Sequence, residues 1–457
     1  MTPRERILTG RSAPVLLRLS APNIAASLIQ SLLLVMEGWY AGRLGSTALA
    51  GVALTFPLFM LTAMLSAGAI GGAVSGAMAR AVGSNDFGRA NGVLRISVLI
   101  AVVLGAAKGA LIVYFAPEIF RRLGGDDAAV EAASSYAYAL FPFIVLLWLF
   151  NLLSSSLRGS GDMTRPAIAM AMVVALHASG LMALAALGAP SGLAGAAWAV
   201  VGAYAVGLSY LLRIVAAPGR ATRLTLSGWG ALAGAGRIIA AGAFASTQSC
   251  LTVGYSLVAT AVFASFGQDW LAGYGVGARL ELLVVPLIFG VGGASTVASG
   301  TLLGAGRRED AIRSAWTGGA MAATLVGALG LVLSFAPGLW TGLFSGSPAI
   351  DAAATAYLEA VGPFYAFFGL GLCLYFASQG LETLVFPVIG SWLRFIIICV
   401  GFAALGWADA LTPQSGLTLI AGVMLFYGLF VAAALRLGPW RPGGGRTGAG
   451  GQAVGGA

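Results

Sequence analysis

Long apolar segments recur along the whole chain, and short polar or glycine-rich segments separate them. A helix that crosses the hydrocarbon core of a bilayer needs about 20 mostly apolar residues. Twelve segments reach that length, and none has the period-two alternation of a transmembrane strand. The predicted spans are 14–42, 48–79, 93–115, 132–157, 165–188, 192–214, 238–265, 271–302, 314–335, 352–379, 384–406 and 415–436.

The pattern repeats once. GSTALAG at 45–51 and GQDWLAG at 267–273 place Gly45 and Gly267 222 positions apart. Four further pairs stand 221 apart, namely Tyr136 and Tyr357, Pro142 and Pro363, Gly159 and Gly380, and Pro166 and Pro387. The chain is therefore predicted to be all-α, with two six-helix lobes in the same orientation. A pseudo-two-fold axis along the membrane normal relates them, as in some secondary transporters whose site lies between the halves.

This repeat divides the chain into four parts. We expect an amino-terminal lobe at 1–215, a cytoplasmic linker at 216–237 and a carboxy-terminal lobe at 238–438. The glycine-rich tail at 439–457 is predicted to be disordered.

Composition supports a multi-pass membrane protein. The chain is 59% hydrophobic and 9% charged, whereas soluble domains carry about 25% charged residues. The net charge of +9 resides in short segments between apolar runs, so we expect membrane lipid and a small-molecule substrate as partners, and no nucleic acid. We also expect a monomer.

The arginines predict the orientation. With both termini and the even-to-odd loops on one side, most of the 25 basic residues fall there, and Arg43, Arg121 and Arg122 fall opposite. The positive-inside rule then places both termini in the cytoplasm, and we expect a bacterial inner-membrane protein. The first apolar segment is too long for a signal peptide, so it is interpreted as a retained helix.

The sequence gives no indication of an enzyme. There is no GxxxxGK[ST] phosphate loop and no plausible pairing of a nucleophile with a base. The three cysteines lie in apolar segments without metal-ligand spacing. We therefore expect neither catalytic residues nor a cofactor or metal site.

Charged residues inside the membrane are costly and are functional candidates. Glu37, Glu281 and Glu359 fall in the outer half or the middle of their segments, where a carboxylate-lined cleft would attract cations. The repeat equivalent of Glu37 is Ala259, so the shared architecture does not require a carboxylate there. A carboxyl group in apolar surroundings can exchange a proton near neutral pH. The alternative for Glu37 is a structural hydrogen bond to a neighbouring helix.

The other charged positions also have two interpretations. Glu281 and Arg279 are two residues apart and should face different neighbours. Glu359 either takes part in ion binding or extends to the outer surface. Lys108 and Arg394 are candidate counter-charges. His177, the only histidine, is either a hydrogen-bonded packing residue or a proton relay.

Several stretches together resemble the multidrug and toxic compound extrusion (MATE) family. They are VMEGWYAGRLGSTALAGVAL at 35–54, LRGSGDMTRPA at 157–167, YGVGARLELLVVP at 274–286 and the loops at 83 and 304. The resemblance implies a V-shaped pair of lobes. It also implies an antiporter that exports amphipathic, often cationic, compounds in exchange for protons or sodium ions.

The resemblance also implies an amino-lobe cation site. Glu37 stands where many members have Asp, and Asn151 matches an Asn seven residues before the RG pair. His177 and Leu181 replace an Asn and an Asp of helix 5. We therefore expect a modified site of Glu37, Asn151 and His177, coupled to protons in preference to sodium, because an imidazole is a poor ligand for a hard cation. Of the carboxylates that another branch carries in helices 7 and 10, only Glu359 is present.

Other functions stay open at this point. A flippase for lipid-linked saccharides would have a basic cavity, but the intramembrane charges here balance, with Glu37, Glu281 and Glu359 against Lys108, Arg279 and Arg394. A channel fits a two-lobe repeat less well than alternating access does.

Overall fold

The computed structural model describes residues 2–188, 191–218, 222–224, 234–344 and 347–441, and the regular secondary structure in these ranges is helical, with no strand. Most of the predicted linker and tail lies outside them. Within these ranges, twelve helices are long and apolar enough to cross a membrane. They are α1 Ser12–Leu44, α2 Ser46–Gly83, α3 Phe87–Arg122, α4 Asp127–Gly159, α5 Thr164–Ala186, α6 Gly192–Ala216, α7 Ala235–Ala264, α8 Gln268–Gly304, α9 Arg308–Phe335, α10 Pro348–Leu381, α11 Val385–Trp407 and α12 Pro413–Leu437. The prediction of an all-helical protein with twelve spans is confirmed.

Several helices extend beyond the predicted apolar cores. Helix α3 begins six residues before its predicted start at 93, because the side chain of Asp86 caps it by accepting a hydrogen bond from the backbone N of Arg89. Asp126 caps α4 in the same way through Ala129 N. An N-cap side chain pairs a donor that the helix leaves free, so polar turns continue these helices past the hydrocarbon core.

The long helices are interrupted at corresponding places in the two lobes. Helix α4 contains a 3-10 turn at Phe141–Phe143, and α10 contains one at Gly362–Phe364. Each turn includes a proline, which has no backbone N–H for the helical ladder. Helix α2 carries a π-turn at Met64–Ala69, whereas α8 breaks at a turn between Ala278 and Glu281.

The two halves of the sequence repeat also share the same turn conformation and the same helix contacts. Gly45 and Gly267, which precede α2 and α8, have φ of 112° and 103°, a conformation that favours glycine. Six residues further on in each lobe, a glycine lies directly against an alanine, Gly51 against Ala132 and Gly273 against Ala353. Helices α1–α6 and α7–α12 therefore form two equivalent lobes.

The two lobes meet along a seam between α1 and α2 on one side and α8 and α10 on the other. Asn23 Nδ2 donates to the carbonyl oxygens of Phe289 and Gly290, at 3.3 and 3.1 Å. Gln379 Nε2 donates to Gly68 O at 3.3 Å. These side chains donate hydrogen bonds to backbone carbonyl groups across the seam. They therefore fix the position of one lobe's helices along the other's.

The seam is closed tightly at the arginine-rich face, defined as the end of the bundle where α1 begins and α12 ends. Arg80 Nη1 donates to the carbonyl oxygens of Gln379 and Gly380, each at 2.9 Å. Its Nη2 pairs with Glu382 Oε1 at 3.0 Å. A Cβ atom on Gly76 would collide with Gln379 O, so the backbones of α2 and α10 touch here.

A short helix, Pro3–Thr9, lies on the same face and was not predicted, because it is too short and polar to appear as an apolar segment. A capping box of Thr2 and Glu5 starts it. Arg4 Nη2 donates to Gly83 O at 3.1 Å in the amino lobe, and Arg307 of the carboxy lobe donates to Leu8 O. The amino terminus therefore bridges both lobes.

Candidate functional site

Glu37 is buried between the helices of the amino lobe, in the half of α1 that ends at Leu44. Its residue is 6% exposed, and its Oε1 accepts a hydrogen bond from the hydroxyl of Tyr136 on α4 at 2.6 Å. Hydrogen bonds to a carboxylate are shorter and stronger than neutral ones. A carboxyl group on α1 is thus held by a helix that does not precede or follow α1 in the chain.

His177 on α5 faces the same carboxylate. Its Nε2 lies 4.0 Å from Glu37 Oε1, and the side chain is fully buried. Neither ring nitrogen has a hydrogen-bond partner among the described residues. Since an unpaired buried polar group costs about 1–3 kcal/mol, a shift of about 1 Å that brings the imidazole into hydrogen-bond range of Glu37 is favourable.

Asn151 has a different partner. Its Nδ2 donates to Ser66 Oγ at 2.8 Å, and Ser66 Oγ in turn donates to Thr62 O at 2.7 Å. Ser66 belongs to the π-turn of α2. Of the three residues expected in the amino-lobe site, the structure therefore brings Glu37 and His177 together and connects Asn151 to α2.

Tyr136 is the residue that sequence reasoning missed, although it marked the repeat. A buried tyrosine hydroxyl usually finds a polar partner, so a tyrosine in an apolar helix was the available signal. At Leu181, where the family resemblance implies an Asp, the side chain is fully buried and contributes no second carboxylate.

Glu281 and Arg394 form the corresponding charged cluster of the carboxy lobe. Glu281 begins the second part of α8 and is half-buried, within electrostatic range of Arg394. The guanidinium of Arg394 lies 4.1 Å from the ring centre of Tyr255 and 4.9 Å from that of Phe368. Aromatic faces thus hold a buried cation, and no direct ion pair joins it to Glu281 in the described part of the chain.

The remaining candidates lie apart from these clusters. Arg279 is exposed and stacks over Phe344 at 5.5 Å, so it and Glu281 have different neighbours. Glu359 is exposed on α10. Lys108 is half-buried, and its Nζ has no hydrogen-bond partner among the described residues. The structure brings none of these three to Glu37.

The model of the MatE family matches this chain twice, at residues 22–181 and 245–405. One match falls in each lobe, and together they cover more than half of the chain. The chain belongs to the MatE family. The family therefore shares the internal repeat that the turns at Gly45 and Gly267 revealed.

Curated relatives are similar over different lengths. The "Probable multidrug resistance protein YpnP" of Bacillus subtilis is 24% identical over 440 residues, which is 94% of each chain. The "FAD transporter" of Shewanella oneidensis is 26% identical over 180 residues, or 39% of each chain. The match to the latter thus spans about two fifths of that transporter.

Solved transporter structures share the fold. One, described as the "Outward-facing conformation of a multidrug resistance MATE family transporter of the MOP superfamily", has a TM-score of 0.87 at 22% identity and covers 95% of this chain and 98% of that chain. A "MOP superfamily transporter from Pyrococcus furiosus" has a TM-score of 0.81 at 21% identity, with 95% and 96% covered. The family and these structures are transporters and not enzymes, as expected.

Proposed function

We propose that the protein is a secondary active antiporter that exports small amphipathic or cationic organic compounds in exchange for protons. The observation that carries this proposal is the buried Glu37 carboxyl group, with Tyr136 at 2.6 Å and His177 at 4.0 Å. We further propose a monomer in the bacterial inner membrane, with the arginine-rich face in the cytoplasm.

The chemistry of the cluster fits proton exchange. When Glu37 is protonated, its carboxyl group has an O–H donor. A neutral His177 imidazole has an acceptor nitrogen, and a small movement of the ring would bring it into hydrogen-bond range. When Glu37 is ionised, the Tyr136 hydroxyl still donates to it. Hard cations such as sodium prefer several oxygen ligands, whereas the polar groups that face the Glu37 carboxylate among the described residues are one hydroxyl and one imidazole. The surroundings of the carboxylate therefore favour the proton.

The seam supports alternating access. Arg80 and the backbone contact at Gly76 close the arginine-rich face, while Glu37 and Tyr136 lie in the opposite half of their helices, near Leu44 and Asp127. In the proposed orientation this is a state closed to the cytoplasm. Protonation of Glu37 from the outside would then accompany release of the cargo.

The names of relatives agree with export. Two Bacillus subtilis relatives are named probable multidrug resistance proteins, and the Shewanella relative is named for FAD. The alternative of a flippase for lipid-linked saccharides is not favoured. The cargoes in these names differ, so we assign the substrate only as a class.

The test is efflux of a fluorescent organic cation from a pump-deficient bacterial host. We expect the wild type to export it, a protonophore to stop export, and Glu37→Gln to lower it to background. Glu131→Gln is the matched control, because Glu131 is an exposed carboxylate of the same lobe and its loss should leave efflux unchanged. Wild-type efflux that persists in Glu37→Gln would refute the role of Glu37.

Sodium is tested in right-side-out membrane vesicles prepared from the same host. With the pH gradient removed and an inward sodium gradient imposed, the proposal expects no efflux. Efflux that follows the sodium gradient at constant pH would contradict proton coupling while leaving the antiporter assignment in place.

A further inference from the structure

A second polar pocket lies where the seam meets the amino lobe, between α1, α2, α4, α5 and α8. We call it the seam pocket. Its polar lining residues are Asn23, Ser27, Gln30, Asn151, Ser154 and Arg158. None of the described residues that line it is acidic, so its net charge comes from Arg158 alone.

Arg158 occupies the pocket in an unusual way. An arginine near the end of a membrane helix normally extends its guanidinium towards water. Arg158 is one residue from the end of α4, yet its Nη2 donates back to Ser155 Oγ at 2.9 Å. Its guanidinium also lies 5.7 Å from the ring centre of Phe289 in the other lobe. No ion pair joins it to any described carboxylate.

Ser154 provides an independent indication of a ligand. Its residue is 2% exposed, and its hydroxyl has no hydrogen-bond partner among the described residues. It lines the same pocket as Arg158. A buried hydroxyl without a partner costs free energy, and a bound group with acceptor oxygens would remove that cost.

Three amide side chains also line this pocket. Asn23 and Asn151 are both about 97% buried, at 3% exposure each, and their side chains are fixed by bonds to Gly290 O and Ser66 Oγ. Gln30 is half-buried on the same face of α1. Because both hydrogens of the Asn23 amide are donated to Phe289 O and Gly290 O, the donors left for an oxyanion are those of Arg158, the Ser154 hydroxyl and one hydrogen of Asn151.

The cavity of about 20 Å³ in this closed state has room for about one water. We propose that the seam pocket binds one oxyanion group, a phosphate or carboxylate, through Arg158 and Ser154 when the seam opens. In the antiporter proposed above, this group belongs to a zwitterionic or anionic cargo that enters from the arginine-rich face. Because Asn23 and Phe289 join the pocket to the seam, opening the seam at that face would expose it. The cargo class is then wider than cations alone.

Binding is measured on the purified protein in an uncharged detergent, with inorganic phosphate as the probe. The melting temperature is followed as phosphate rises at constant ionic strength, with chloride as the balancing anion. We expect a saturable rise for the wild type, since a ligand that binds the folded state stabilises it. The apparent Kd should increase about tenfold or more in Arg158→Gln, which removes a charged hydrogen-bond donor.

Two further variants distinguish a loss of phosphate binding from a loss of folding. Ser154→Ala removes a hydroxyl that has no partner, so it should leave the melting temperature without phosphate unchanged or higher and still weaken phosphate binding. Arg165→Gln is the charge-matched control, because Arg165 pairs with Asp162 outside the pocket. A phosphate response that is the same in wild type, Ser154→Ala and Arg158→Gln overturns the proposal.

A second arm identifies the source of the group. The protein is placed in nanodiscs of phosphatidylcholine alone or with phosphatidylglycerol, and the phosphate titration is repeated. A response to phosphate that phosphatidylglycerol does not reduce indicates a soluble oxyanion. Stabilisation by phosphatidylglycerol that requires Ser154 and Arg158 indicates a lipid headgroup, and a response to neither refutes the site. Binding is measured without transport, so intact binding without efflux would count against the antiporter alone.

Discussion

Among the described residues, several buried polar side chains have no hydrogen-bond partner, and three of them bear on the proposed functions. The imidazole of His177, the hydroxyl of Ser154 and the ammonium of Lys108 have no hydrogen bond within the described residues. Buried polar groups are normally paired, so these positions mark where a proton, a ligand or a moving helix would complete the structure. For His177 the missing partner is 4.0 Å away, at Glu37.

Tyr136 provides a test at the scale of one hydroxyl. Tyr136→Phe keeps the ring and removes the donor to Glu37. A hydrogen bond to a charged group contributes about 1.5–3 kcal/mol, so we expect the rate of proton-driven efflux to fall by roughly tenfold or more. The measurement is the initial efflux rate at a fixed pH gradient.

Tyr357→Phe is the matched control for Tyr136→Phe. Tyr357 is the repeat equivalent, and its hydroxyl pairs with Tyr365 at 3.2 Å and not with a carboxylate. Equal losses in the two variants would mean that the tyrosines act through packing of their lobes, and that the bond to Glu37 carries no function.

His177 distinguishes a relay from a packing residue. His177→Asn preserves a hydrogen-bonding side chain of the kind that the family resemblance places there, but it cannot carry a proton. We expect it to fold with an unchanged melting temperature and to export more slowly than the wild type in the same vesicles. Wild-type rates in this variant would assign His177 to packing.

At the scale of single helices, the apolar pattern predicted well that each membrane-spanning helix exists. It predicted poorly the irregular turns inside the helices. Each span contains about 20 apolar residues, and this requirement comes from the bilayer and not from neighbours. The π-turn at Met64–Ala69 depends on how α2 meets α4, where Asn151 bonds Ser66. No local pattern specifies that contact, so the partner of Asn151 was not foreseen.

In the candidate site, too, the sequence identified individual residues but not the contacts between them. Glu37 and His177 stand out in a sequence because charged and titratable residues are rare in membrane helices. Their distance of 4.0 Å follows from the packing of α1 against α5, for which only the family resemblance gave a guide. Tyr136 was not recognised because a tyrosine in an apolar helix is compatible with simple packing.

The π-turn can be tested through Ser66. Ser66→Ala leaves the buried Asn151 amide without its partner, and an unpaired buried donor costs about 1–3 kcal/mol. We expect a lower melting temperature in Ser66→Ala than in the wild type. In the double variant Ser66→Ala with Asn151→Leu the two losses should be less than additive, since both remove the same bond. Additive losses would show that the bond contributes little.

At the scale of the whole molecule, the seam decides which side of the protein is closed. Arg80 reaches two carbonyl groups and Glu382 across it. Hydrogen bonds from a charged donor contribute about 1.5–3 kcal/mol each, and a change of 1.4 kcal/mol is a tenfold change in a population. The state closed at the arginine-rich face therefore depends strongly on this one residue.

We expect Arg80→Ala to shift the population towards a state that is open at that face. The measurement is the distance between spin labels at the exposed positions Ser84 and Arg313, attached to introduced cysteines after Cys250, Cys373 and Cys399 are replaced. Longer distances should become populated in Arg80→Ala.

The control for Arg80→Ala is Arg89→Ala, because Arg89 is exposed near the same loop and its backbone N, not its guanidinium, donates a hydrogen bond to Asp86. Its distance distribution should match that of the wild type. Identical distributions in Arg80→Ala and Arg89→Ala would show that the backbone contacts at Gly76 hold the seam without Arg80.

The short helix Pro3–Thr9 is synthesised well before one of the residues that hold it in place. Leu8 O is held by Arg307, 299 positions later in the chain. At roughly 5–20 residues per second, a ribosome needs about 15–60 s to reach that partner. During this interval the helix lies at the membrane surface without half of its docking site, so it is accessible to chaperones and proteases in the nascent protein.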